Sequence, residues 1–189
     1  MKTIMVDMDN VITDGIFNEF LEEFLGEKID INSSKVYYRQ ELIKGREDEF
    51  KQVYQYRNLY KNAPLLDGCY EVLEKLNNKY DIYIVTSYIW EKDIISAEEN
   101  LKNKFQYLQQ KLPFINPSKY IFTQNKKIMN FDIRIDDRLS GLENSNIKLL
   151  FDSWSNKTIT NEELKKNNII RVKDWYDVEN VLKEIDTEY

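Results

Sequence analysis

Six short runs of apolar, largely β-branched residues recur along the chain, at 3–6, 82–85, 120–122, 133–135, 147–151 and 169–172. Each has the length of a strand. Helical patterns fall between several of them. Asp67 followed by Val72, Leu73 and Leu76 reads as an N-capped amphipathic helix, and Val178, Val181, Leu182 and Ile185 give another near the C-terminus. Strands alternating with helices imply βαβ units. The predicted fold is therefore α/β: a doubly wound, mainly parallel sheet covered on both faces.

One region breaks the alternation. Between residues 15 and 63 no strand is predicted, while Phe17, Phe20, Leu21, Phe24 and Leu25 repeat at helical spacing and Phe50, Val53, Tyr54 and Tyr60 suggest a second helix. Residues 15–63 are read as a small helical cap inserted into an α/β core of residues 1–14 and 64–189. Pro64-Leu65-Leu66-Asp67-Gly68 would return the chain to that core, since Pro and Gly end one element and Asp starts the next. At 189 residues the chain has no room for a second full domain. Residues 156–168 are polar and read as a partly helical surface connection.

Composition removes several function classes. Acidic residues outnumber basic ones 33 to 27, which argues against general attachment to a nucleic-acid polymer or an anionic membrane. No run approaches the roughly 18 apolar residues a membrane helix needs. A single cysteine, Cys69, and an N-terminus unlike a signal peptide fit a reducing cytoplasm best. Histidine is absent, so histidine acid-base catalysis, Ser-His-Asp triads and His-ligated zinc are excluded. Carboxylates, hydroxyls and lysines must do any chemistry.

Four elements carry such groups at predicted strand ends. The first run ends in Val6-Asp7-Met8-Asp9-Asn10-Val11, with two carboxylates where a buried strand meets a loop. Ile84-Val85-Thr86-Ser87 offers hydroxyls which, with backbone N–H groups of a following helix, would cradle phosphate oxygens. Lys126-Lys127 follows the third run, and Ile135-Asp136-Asp137-Arg138 closes the fourth. Each alone has a plain explanation as a solvated turn or helix cap. Together they fall along one edge of the sheet, where open α/β folds bind ligands. Four carboxylates converging there would repel one another unless a cation joined them. With oxygen ligands only, that cation is Mg²⁺. The charge balance is that of a phosphoryl-transfer site.

In this order the four elements resemble the motifs of the haloacid dehalogenase superfamily of phosphatases, over almost the whole chain. Asp7-Met8-Asp9-Asn10-Val11, Val85-Thr86-Ser87 and Lys126 followed by Asp136-Asp137-Arg138 most resemble the 5'(3')-deoxyribonucleotidases. Two departures stand out: the family usually has glycine where Asn10 stands, and its base-contacting aromatic after the first motif is replaced near Gly15. The resemblance implies that Asp7 attacks phosphorus to give an aspartyl-phosphate, while Asp9 protonates the leaving group and then activates water. It further implies that Asp7, the backbone carbonyl of Asp9, and Asp137 with Asp136 in support hold Mg²⁺, and that Thr86, Ser87 and Lys126 bind the phosphoryl group. The expected substrate is a small phosphorylated molecule, a (deoxy)nucleoside monophosphate. The alternatives are a sugar or polyol phosphate, or a non-catalytic phosphate-binding regulator. Phe17, Tyr37 and Tyr38 are cap aromatics that could stack on a base.

Overall fold

The structure, a computed structural model, describes residues 1–14, 17–29, 40–89 and 96–187. In chain order these form β1 (Thr3–Val6), α1 (Phe17–Leu25), α2 (Glu47–Tyr54), α3 (Cys69–Asn77), β2 (Asp81–Thr86), α4 (Ala97–Lys111), β3 (Tyr120–Phe122) and β4 (Phe131–Asp136). β5 (Ser145–Phe151), α5 (Asn161–Lys166), β6 (Ile169–Val172) and α6 (Trp175–Thr187) complete the chain. All strand pairings are parallel, in the order β3-β2-β1-β4-β5-β6. Every apolar run expected to be a strand is one, and the α/β, Rossmann-like class holds.

Side-chain alternation divides each strand between two faces. On one face Ile4, Val6, Ile82, Ile84, Ile133 and Ile135 pack with Val72 and Leu73 of α3, Leu108 of α4, and Val178 and Leu182 of α6. On the other, Met5, Val85 and Phe131 form a smaller cluster, and Leu150 lies under Leu164 of α5. Trp175 is fully buried, and its indole N–H donates to Val11 O at 2.8 Å, fastening α6 to the loop that leaves β1.

Between β1 and β2 the described residues contain helices and no strand. Phe20, Phe24, Phe50 and Tyr54 hold α1 against α2, with ring centroids 5.0 Å apart for Phe24–Phe50 and 5.2 Å for Phe20–Phe50. Phe17 joins them, its ring 6.2 Å from Phe50 and 6.4 Å from Tyr54. Gly15, Tyr37 and Tyr38 lie outside the described residues.

Three local expectations need correction. Asp67 does not cap α3; Gly68 does, with φ +71° and a Tyr176 ring atom 2.9 Å from where a Cβ would sit, so neither conformation nor space suits a side chain. The helix expected to follow Ser87 is α4, but it starts only at Ala97, and its inward face includes Asn100, Asn103 and Lys104 in place of a full apolar stripe. Asn156 is a buried structural residue, its amide donating to Asp137 O at 2.9 Å and Phe151 O at 2.8 Å. Among the described residues no helix is long and apolar enough to cross a membrane.

Candidate active site

The chain passes from β1 to β2 and β3 on one side, then returns past β1 to β4 on the other. Strand order therefore reverses between β1 and β4, and ligands of open sheets bind at the carboxyl ends beside such a reversal. Asp7 follows β1 directly, its N–H donating to Ile135 O of β4 at 2.9 Å. Asp136 is the last residue of β4, Asp137 the next, and Thr86 the last of β2. Lys126 arrives from a short 3-10 turn, Lys126–Ile128, after β3.

Carboxylate oxygens of Asp7, Asp136 and Asp137, all buried, lie within 4.8 Å of one another. Lys126 Nζ is 2.7 Å from both Asp7 Oδ1 and Asp136 Oδ2. Burial would lower the lysine's pKa, but Asp136 and Asp7 outweigh it and hold it above its ordinary value. Asp136 also accepts from Arg138 N–H at 2.9 Å, so both of its oxygens are engaged. Burial pushes its carboxyl up to about 6, against the pull of Lys126. Asp137 has neutral side-chain donors: Asn10 Nδ2 at 3.0 Å, Ser155 Oγ at 3.0 Å and Ser153 Oγ at 3.3 Å. Burial and then repulsion from Asp136 and Asp7 drive its carboxyl well above the ordinary value. One lysine thus stands among three carboxylates, and the deficit of positive charge is greatest at Asp137. An all-oxygen donor set with surplus negative charge fits a hard divalent cation such as Mg²⁺.

Asp9 stands apart from that cluster, which divides the four carboxylates expected to converge. Lys104 Nζ lies 2.6 Å from Asp9 Oδ2, and Tyr60 Oη donates to Asp9 Oδ1 at 2.8 Å. The same ammonium donates to Thr86 Oγ1 at 2.8 Å and Ser87 O at 2.6 Å. Shielding from water would raise Asp9's carboxyl, but Lys104 and Tyr60 hold it below the usual aspartate value. Lys104 is 4% exposed and comes from the middle of α4. Sequence reasoning missed it, although Asn100, Lys104 and Leu108 share one helical face by their i, i+4 spacing.

Ser87 sends its own hydroxyl to Gln124 Oε1 at 3.1 Å. Lys127 points away from the cluster to a surface ion pair with Glu143 at 2.6 Å. Backbone N–H groups expected directly after Ser87 fall partly in residues 90–95, outside the described residues; α4 starts only at Ala97. Fully buried Arg134 binds the turn that presents Lys126: its guanidinium donates to Lys126 O at 3.0 Å, Met129 O at 2.5 Å and Gly141 O at 2.8 Å. Asn10 adopts φ +60° in the tight turn after β1, a left-handed conformation that asparagine tolerates better than most residues. That accounts for asparagine where glycine is usual.

A sequence model of the family described as "5' nucleotidase, deoxy (Pyrimidine), cytosolic type C protein" matches residues 1–186. A 5'(3')-deoxyribonucleotidase of Bacillus subtilis (strain 168) is 31% identical over 190 residues, covering 96% of this chain and 98% of the relative. Among solved structures, a haloacid dehalogenase-like hydrolase from Xanthomonas campestris superposes with a TM-score of 0.57 at 10% identity, covering 100% of this chain and 97% of that one. A HAD hydrolase from Entamoeba histolytica gives 0.54 at 14% identity, over 94% and 95% of the two chains. These two show the shared fold. The chain belongs to the cytosolic type C 5'-deoxynucleotidase family, and is a phosphoric monoester hydrolase.

Proposed function

We propose that the protein hydrolyses deoxynucleoside monophosphates with Mg²⁺, through a covalent acyl phosphate on Asp7. The observation that carries the mechanism is the division of the four carboxylates into two environments. Asp7 lies within a buried cluster beside Lys126, while Asp9, two residues on, has its own lysine and tyrosine. Carboxylates held by different partners in this way are suited to separate tasks.

In this reading Asp7 and Asp137, with the backbone carbonyl of Asp9, hold Mg²⁺, and Asp136 steadies Lys126. The bound cation neutralises charge on the phosphoryl oxygens. Asp7 attacks phosphorus, with Lys126 on its Oδ1 restraining the carboxylate. Thr86, Ser87, Lys126 and Lys104 bind the phosphoryl oxygens. An arriving phosphate dianion competes with Asp9 for Lys104 and adds negative charge nearby, and both effects raise Asp9's pKa. Asp9 then holds a proton to give to the leaving alkoxide, and afterwards takes one from the water that releases phosphate.

Residues 15–63 are assigned as the cap; the aromatic cluster of α1 and α2 within it is continuous with the core beneath the sheet. A cap this small closes over a leaving group of mononucleotide size. The substrate class rests on the relatives, whose names specify 5'(3')-deoxyribonucleotidase. The setting is the cytoplasm, where the buried thiol of Cys69 stays reduced. Phosphate release with Mg²⁺ across deoxynucleoside, ribonucleoside, hexose and glycerol monophosphates tests this assignment. The deoxynucleotides should show the highest kcat/KM, and equal or better turnover of hexose or glycerol phosphate would move the substrate to that class.

A further inference from the structure

We infer that Asn10, Ser153 and Ser155 restrict Asp137 to coordination through one oxygen, and that this sets the site's preference for Mg²⁺ over Ca²⁺. The inference rests on the metal role proposed above for Asp137. Every side-chain hydrogen bond that the described residues give to the Asp137 carboxylate falls on Oδ2. Asn10 Nδ2 supplies one proton at 3.0 Å. Ser153 Oγ and Ser155 Oγ lie 3.3 Å and 3.0 Å from Oδ2 and 2.7 Å from each other, so two hydroxyl protons serve three contacts and at least one falls on Oδ2. The lone pairs of Oδ2 are therefore occupied, and Oδ1 is left for a cation.

The arrangement is held from two sides of the cleft. Asn10 reaches Asp137 from the left-handed position of the turn after β1, which an N–H···O bond from Asn10 to Thr13 at 2.7 Å keeps closed. The serines belong to the 3-10 turn after β5, where Ser153 and Asn156 cap one another and Asn156 also binds the Asp137 carbonyl. All three donors are neutral, so they orient the carboxylate without cancelling the charge a cation would meet. Denticity matters because the two cations differ in what they accept. Ca²⁺ takes about 6–8 oxygens at about 2.3–2.6 Å and gains from bidentate carboxylates, whereas Mg²⁺ demands near-octahedral geometry at about 2.0–2.1 Å.

Calorimetric titration of the chelator-treated full chain with MgCl₂ and with CaCl₂ tests this, comparing wild type with Asn10→Gly and Ser155→Ala. Glycine tolerates the positive φ at position 10, so Asn10→Gly removes the amide without backbone strain; Ser155→Ala removes a donor from the opposite element. Each variant should lower the Kd(Ca²⁺)/Kd(Mg²⁺) ratio by about tenfold, in line with the usual effect of removing a group that orients a metal ligand. Mg²⁺ binding weakens, while Ca²⁺ binding is unchanged or tighter. If both affinities fall in parallel, or the ratio is unchanged, the inference is overturned and the metal role stands. If the wild type binds neither ion, the two fall together.

Discussion

Lys104→Met keeps the length and most of the volume of the side chain while removing its charge. In the structure the lysine side chain is 5% exposed and its ammonium donates to Asp9 Oδ2 at 2.6 Å, Thr86 Oγ1 at 2.8 Å and Ser87 O at 2.6 Å. A hydrogen bond to a charged group contributes about 1.5–3 kcal/mol, which gives roughly 5–9 kcal/mol for the three. Two effects offset most of this. Burying an ammonium is itself unfavourable by several kcal/mol, to an extent roughly comparable with what a buried pair returns. Asp9, whose side chain is 46% exposed, can also turn to water once its partner is gone. The net loss of stability should be only about 1–2 kcal/mol, or roughly 2–8 °C in Tm for a domain of this size. The effect on catalysis should be larger. Removing one preorganised charge beside the developing phosphoryl charge lowers kcat by about 10²–10³-fold. Losing the cation that holds Asp9's carboxyl down should also move to higher pH the alkaline limb of the kcat/KM profile, which Asp9 sets as the proton donor. Steady-state kinetics from pH 4.5 to 8, alongside thermal unfolding, reads all three. A folded variant with kcat within about threefold of wild type and an unmoved alkaline limb would refute the role assigned to Lys104.

Without metal, burial holds Asp136 near 6 and Asp137 higher than usual, so the folded chain keeps protons that the unfolded chain releases near pH 4. Stability of the metal-free protein should fall as pH rises from about 4 through 6, and Mg²⁺ should raise Tm more at pH 7 than at pH 5; an equal rise at both, by calorimetry, would contradict the charge deficit. Gly141→Ala would place a Cβ 1.9 Å from Asp136 Oδ2 and 2.2 Å from its Cγ, against a carboxylate pinned by Lys126 and Arg138. We expect a loss of about 1–3 kcal/mol in urea denaturation with weaker Mg²⁺ binding, and an unchanged midpoint would contradict that close approach.

The sheet was legible because its strands are short β-branched runs bounded by turns, a pattern that survives without tertiary context. The strand-end acids were legible for the same reason: once β1 and β4 are placed, Asp7 and Asp136-Asp137 must lie at neighbouring carboxyl ends. The inward face of α4 was not, because positions that would spell an apolar stripe instead hold Asn100, Asn103 and Lys104, of which Lys104 serves the site and Asn100 the helix α2. Asn100, for example, donates to Tyr54 Oη of α2 at 3.1 Å. Lys104 also lacks a signal of its own in a helix that includes Lys102 and Lys111. Asn156 sat in a polar stretch that sequence alone reads as surface, Ser155 just before it carried no signal, and only the fold brings them to Asp137. For Phe17 the helical spacing was legible and the structure sets its ring edge-on to Phe50, but spacing alone does not separate a stacking surface from packing.

The central claim is that Asp7 itself carries the phosphoryl group. Acid-quenching the enzyme during turnover of a ³²P-labelled deoxynucleoside monophosphate with Mg²⁺, for wild type and Asp7→Asn in parallel, tests it most directly. An amide is a poor nucleophile, so wild type should retain label that neutral hydroxylamine releases, as an acyl phosphate requires, while Asp7→Asn retains none and does not turn over. An Asp7→Asn preparation, verified by mass, that takes up the same label or hydrolyses the substrate at a rate comparable to wild type would contradict the account.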